Sequence, residues 1–181
     1  MKKNTIVHFV GFITTLEPDD FAPNWERYAK RLNKKKDSTF QQHITERKNK
    51  LSYLSQHEWD EPGSNFTFMN ERKSEHFPEH NVRVMQLGGY LRLDPPKKQS
   101  PGEGDTKLIA FISHEENDME FYRQLPCRGL HINQAYYESC TYGYILEFFV
   151  AEADVDELSE QLKQRQGVET GIYREYVLSH A

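Results

Sequence analysis

Tyr53, Ser55, His57 and Trp59 alternate along one short segment. In an extended chain, side chains two residues apart point the same way, so these four share a face. Such a face suits a polar-aromatic pocket: an imidazole titrates near neutral pH and acts as a general base, and Tyr or Trp stacks on a flat ligand. On a peripheral strand the same face would simply meet water. His57 is therefore the candidate catalytic residue, with Tyr53 and Trp59 as ligand contacts. His8 lies inside the run Ile6–Ile13, beside Val10 and Phe12. It is a ligand contact if that face lines a cavity, and otherwise a hydrogen-bonded structural residue. Arg174 shares a face with Ile172 and Tyr176. It would hold a ligand carboxylate bidentately, or pair with Glu147 across strands.

Other groups point away from known chemistries. His76 and His80 stand four apart with Glu75 and Glu79 beside them, but Pro78 between them removes a helical donor. A solvated charged loop is the reading there, and no metal site is expected. The chain has no Gly-rich phosphate loop, no CxxC, no His-Glu-x-x-His and no nucleophile elbow, which leaves phosphoryl transfer, dinucleotide binding and structural zinc unsupported. No motif specifies haem, flavin or any other cofactor.

The elements that must position these residues fall on either side of one divider. The segment Asp94–Asp105 carries three prolines, several charges and almost nothing to bury. Prolines also lack the amide hydrogen a strand ladder needs, so this is an exposed linker between residues 1–93 and 106–181. In the second part, Leu108–Ile112 reads as a strand. A short helix capped at Asn117 or Asp118 follows, stopped by Pro126. Strands are expected over Leu130–Ser139 and Tyr144–Val150, with Glu147 the only charge inside the latter. Asp154 and Glu157 have the spacing of a capping box ahead of Val155, Leu158 and Leu162, and Gly167 supplies a left-handed helix end. A final strand runs over about Gly171–Leu178. The order is βαββαβ.

The first part can be laid over the same order, except that where the second helix should stand there is only Asn70–His80, too short and interrupted by Pro78. Thr5–Thr15 is a strand apolar on both faces, as a buried strand should be. Phe21, Trp25, Tyr28 and Leu32 recur at helical spacing. The polar stretch Asn33–Lys50 reads as a continued exposed helix or a loop. Strands over Leu51–Trp59 and Asn65–Met69 flank Pro62-Gly63, and Val82–Leu93 closes the part, with Gly88-Gly89 marking a bulge or a close backbone approach.

With 181 residues, 36% hydrophobic and 13% aromatic, the core relies on rings. A net charge of −5 gives no basic field for nucleic acid. No apolar run reaches the length of a membrane span, and two cysteines thirteen apart suit free thiols in a reducing, cytoplasmic setting.

Two such units in one chain resemble the dimeric α+β barrel superfamily, in which two ferredoxin-like sheets face each other with helices outside. The resemblance rests on Ile6–Ile13 with Phe21–Leu32, and on Tyr144–Val150 with the helix after it and the strand Ile172–Val177. It implies an α+β fold of two βαββαβ halves. Superfamily members include quinol-forming monooxygenases, haem-degrading enzymes, chlorite dismutase-like haem proteins and isomerases, and one fold serves many functions. The expected function is binding of a small flat organic molecule in a barrel pocket, with monooxygenase-like activity as the reaction class. The rival is a non-catalytic interaction or assembly module. The expected partner is a small-molecule ligand, with neither nucleic acid nor membrane, and self-association into a homo-oligomer is compatible with both readings.

Overall fold

The computed structural model describes residues 5–23, 38–45, 51–59, 82–93 and 104–175. Eight strands run in chain order: β1 (Ile6–Ile13), β2 (Ser38–Thr45), β3 (Tyr53–Trp59), β4 (Arg83–Leu93), β5 (Asp105–Ile112), β6 (Gly129–Ala135), β7 (Tyr144–Ala151) and β8 (Val168–Glu175). Residues 18–23 are helical (α1). Helix α2 is Met119–Gln124 and α3 is Val155–Lys163. The strands hydrogen-bond in the order β1-β3-β2-β8-β5-β7-β6-β4 and close into a barrel, with every pair antiparallel. Read as two arcs, the order is β4-β1-β3-β2 and β8-β5-β7-β6, the same arrangement twice. These are the two antiparallel ferredoxin-like sheets expected. They meet along two seams, β2–β8 and β4–β6.

The first arc corrects the sequence reading at one element. The stretch expected as exposed helix or loop contains β2, and the strand at Tyr53–Trp59 is third in its arc, not second. Phe40 and Ile44 are the only large apolar residues in β2, so its ladders to β3 and β8 decide its conformation, and intrinsic pattern does not. The strand expected at Asn65–Met69 and the loop holding His76 and His80 lie outside the described residues. So does the linker, apart from Gly104 and from Asp105, which opens β5.

Each arc has two buried faces. Inside the barrel, Phe9 and Leu54 of the first arc meet Ile109, Phe111, Ile145 and Tyr173 of the second. Outside, Leu108, Ala110, Leu146 and Phe148 pack under Tyr122 of α2 and Val155, Leu158 and Leu162 of α3. On the first arc the outer layer includes Phe12 and Tyr53, which pack on Phe21 of α1. Asp118 caps α2 as expected, accepting from the Phe121 amide at 3.2 Å. The box expected at Asp154 does not form: a 3-10 turn over Glu152–Asp154 leads into α3, and Asp154 makes no side-chain cap bond. Strand β6 stops at Ala135, short of Ser139, and β8 starts at Val168, ahead of Gly171. Cys127 and Cys140 are both free thiols.

The paired glycines of β4 do mark a bulge. The β1–β4 register shifts between Phe9 and Val10, and Gly88 has φ +116°. A Cβ there would stand 2.6 Å from Cys140 Sγ and 3.2 Å from its Cα. Gly88→Ala should therefore lower stability by about 1–3 kcal/mol, from backbone strain and overpacking together. Urea denaturation at neutral pH measures this; an unchanged midpoint would contradict the close approach.

Candidate functional site

Glu147 sits in β7 between Leu146 and Phe148, faces the barrel interior and is 0% exposed. A lone carboxylate there would be costly, so the neighbouring strands supply partners. Arg92 at the end of β4 reaches it at 2.9 Å and Lys107 of β5 at 3.0 Å. Asn133 of β6 donates to it at 2.9 Å and to the Ile145 carbonyl at 2.9 Å. His131, directly opposite in the β6–β7 ladder, brings Nδ1 to 3.8 Å. The network continues into the first arc: Arg92 also donates to Asn133 Oδ1 at 3.1 Å and pairs with Glu58, and Lys107 reaches Gln56 at 3.5 Å. Burial by itself would raise the Glu147 pKa. The charges of Lys107 and Arg92, helped by His131, outweigh it and hold the carboxyl well below its ordinary range.

This cluster marks one mouth of the barrel. Arg92 and Lys107 are 14% and 13% exposed and His131 is 30%, against 0% for the glutamate beneath them. The Phe149 ring completes the site, with His131 edge-on at 5.1 Å and the Lys107 ammonium 5.5 Å from its centroid.

The opposite mouth is stopped by the polypeptide itself. Residues 136–143 leave the ladder and lie across the β4 bulge. The Tyr136 amide donates to Gly89 at 3.0 Å, the Thr141 amide to Leu87 at 2.9 Å and Cys140 Sγ to Gly89 at 3.2 Å. Tyr142 packs on Phe111 with ring centroids 5.0 Å apart, and its amide donates to the Tyr90 hydroxyl at 3.3 Å. Burial foremost, with Cys140 nearby, pushes that hydroxyl far above the usual phenol range, so Tyr90 serves as a fixed donor to the Leu87 carbonyl. Outside this plug lies an open groove of about 290 Å³, lined by His114, Tyr136, Tyr137, Glu138 and Tyr144 among others.

The residues singled out from sequence occupy the other face of the first arc. By register Tyr53, Ser55 and His57 stand opposite Phe12, Val10 and His8, while Leu54, Gln56 and Glu58 alternate toward the barrel. The Tyr53 ring stacks on Phe21 at 4.1 Å, and its hydroxyl donates to the Leu16 carbonyl at 2.5 Å. His57 is 3% exposed and His8 1%, directly opposed, with His8 Nε2 3.0 Å from Gln86 Oε1. The fold thus brings His57 and His8 together. Trp59 ends β3 and Arg174 lies in β8 opposite Ile44, but their side chains are outside the described set. Arg174 and Glu147 are not cross-strand neighbours, because β5 runs between β8 and β7; among the described residues the arginine on Glu147 is Arg92. Sequence reasoning passed over Arg92, Lys107, His131 and Asn133. The one signal pointing to them was Glu147 itself, a single charge in an apolar strand that needed partners.

No three His, Cys, Asp or Glu side chains gather to hold a metal among the described residues. Nor do the barrel interior and the layer under α2 and α3 hold space for haem among the described residues. Both are closed by side chains such as Ile145, Leu146, Phe148 and Leu162, each at most 1% exposed. His114 is engaged by the Cys140 carbonyl at 2.8 Å, and His131 faces Glu147.

No family model matches the chain, and no curated protein matches it. Solved structures do. A variant of chlorite dismutase from Candidatus Nitrospira defluvii aligns at TM-score 0.58 and 8% identity, over 94% of this chain and 91% of that one. A doubly substituted variant of the same enzyme aligns at 0.59 and 8%, over 96% and 93%. An anthrone oxidase-like protein aligns at 0.56 and 13%, over 97% and 92%. At these identities the likeness is one of fold, the α+β barrel.

Proposed function

From the premise of a barrel fold shared with chlorite dismutase and an anthrone oxidase-like protein, we propose that this chain binds a small flat organic molecule at the polar mouth of its barrel. Oxygenase-like conversion is the reaction class that goes with this reading. The observation carrying it is the asymmetry of the two mouths: one is filled by residues 136–143, while the other presents Lys107 and His131 at the Phe149 ring, with Arg92 joined to them through Glu147. An aromatic floor with cations at its rim suits a planar ligand bearing a hydroxyl or carboxylate. Ligand sites of this kind also form in the mouths of β-barrels. A cytoplasmic setting with both thiols reduced belongs to the same reading.

The test is titration with planar hydroxyaromatic and quinone-like compounds, followed by thermal shift and calorimetry. Lys107→Met should weaken binding at least about tenfold, the loss of one charge-assisted hydrogen bond. Lys163→Met, on an exposed pair of α3, should bind like the parent. The outer-face pair gives a second reading, because His57 and His8 are buried and directly opposed. If His57→Ala abolishes the signal while Lys107→Met leaves it intact, the site belongs to that face.

A further inference from the structure

Resting on that reading and deepening it, we infer that His131 is the proton acceptor of the polar mouth, positioned by Glu147, and that the ligand class is a weakly acidic hydroxyaromatic. Three observations meet here. His131 Nδ1 is buried, 3.8 Å from Glu147 Oε2, and makes no hydrogen bond among the described residues. The ring is held edge-on by Phe149. The side chain is nevertheless 30% exposed, the most open member of the cluster.

In the inferred arrangement Nδ1, buried beside the carboxylate, keeps the ring proton and Nε2 is the nitrogen that accepts the ligand's. Glu147 cannot take the proton itself. It is fully buried and accepts from Arg92, Lys107 and Asn133. Its use is to fix the ring and to pair with the imidazolium once formed, which makes it a positioning residue. The charged and titratable groups facing His131 are Glu147 and, through it, Lys107 and Arg92.

The step balances without any oxidant or reductant. The ligand O–H bond breaks, the proton passes to His131 Nε2, and the electron pair stays on the ligand oxygen. A phenolate then lies beside the Lys107 ammonium, and the imidazolium lies against the Glu147 carboxylate. A neutral ligand thus becomes an ion pair at a place already furnished with a counter-charge for each ion. A ligand without an acidic hydroxyl gains nothing from this arrangement.

4-Nitrophenol is a suitable probe because its anion absorbs in the visible and the neutral form does not; 4-nitroanisole is the control with no proton to give. At a pH equal to the probe's own pKa, where an ordinary imidazole is mostly neutral, the ionised-to-neutral ratio should be about tenfold higher for bound than for free 4-nitrophenol, equivalent to one pKa unit. Nitrogen-15 NMR should show the His131 ring turning to imidazolium with nitrophenol and staying neutral with nitroanisole. His131→Gln should still bind nitrophenol but leave it neutral. Glu147→Asp, which keeps the buried charge, should shift the pH midpoint of probe ionisation. If the probe ionises equally in His131→Gln, the field of Lys107 and Arg92 suffices and the inference is overturned while the mouth stands as the site. Absent binding, or binding indifferent to Lys107→Met, would overturn both.

Discussion

Replacing Glu147 by Gln should destabilise the protein by about 3–5 kcal/mol, the usual result of removing one partner from a buried ion pair. The amide keeps the shape of the side chain, so the loss is of charge. Lys107 and Arg92 would then face each other across a neutral group at 13% and 14% exposure. Arg92 keeps Glu58 and part of its hydration, which places the effect toward the low end of that range. The pH dependence has a definite sign. The folded-state pKa of Glu147 is depressed, so its stabilisation is complete above the ordinary carboxylate range and is lost as pH falls through that range toward the folded value. Unfolding free energies of parent and variant, measured by urea at steps from neutral to acid pH, should converge on acidification. Parallel curves would show that the carboxylate is not ionised in the native barrel.

The second large effect lies on the opposite side of the first arc. Phe21→Ala should cost about 3–5 kcal/mol through the cavity it leaves. Phe21 is 0% exposed, stacks on Tyr53 at an interplanar angle of 3° and meets Phe12 edge-on at 5.1 Å. Its amide closes the turn onto Glu17 at 3.0 Å, and Tyr53 ties Leu16 to β3. Losing the ring therefore loosens the seat of α1 on the barrel. Ligand affinity at the polar mouth should change little, because Lys107, Arg92 and His131 belong to the inner face. Denaturant midpoint and ligand Kd measured on the same preparations check this. A fall in affinity as steep as the fall in stability would tie the mouth to the outer layer.

The contrast between these two sites explains what could be read from residue order. The second arc was legible because Leu108–Ile112 and Tyr144–Ala151 are long apolar runs and α3 buries a clean stripe of Val155, Leu158 and Leu162. Strand β2 was not, since two apolar residues among Gln, His, Ser and Thr match no template. The inward polar cluster was hidden by parity. Alternation shows that Tyr53, Ser55 and His57 share a face, but β1, β3 and β7 carry buried side chains on both faces, so burial alone does not tell inside from outside. Glu58, Arg92, Lys107, His131 and Glu147 come from five strands, and only the closed strand order brings them to one end.

That closure also governs how the chain can meet another copy of itself. Each of the eight described strands has a neighbour on both sides, so none of them is a free sheet edge along its whole length for a foreign strand to extend. Closure favours self-association through side-chain surfaces, on the helices or around the rims, over continuation of a sheet. The guard is thinnest at the seams, where His43–Thr45 meets Tyr173–Glu175 and Tyr90–Leu93 meets Ile132–Ala135. Parting there would turn a self-sealed cylinder into two curved sheets with adhesive borders, a route to domain-swapped or aggregated forms that the closed barrel denies.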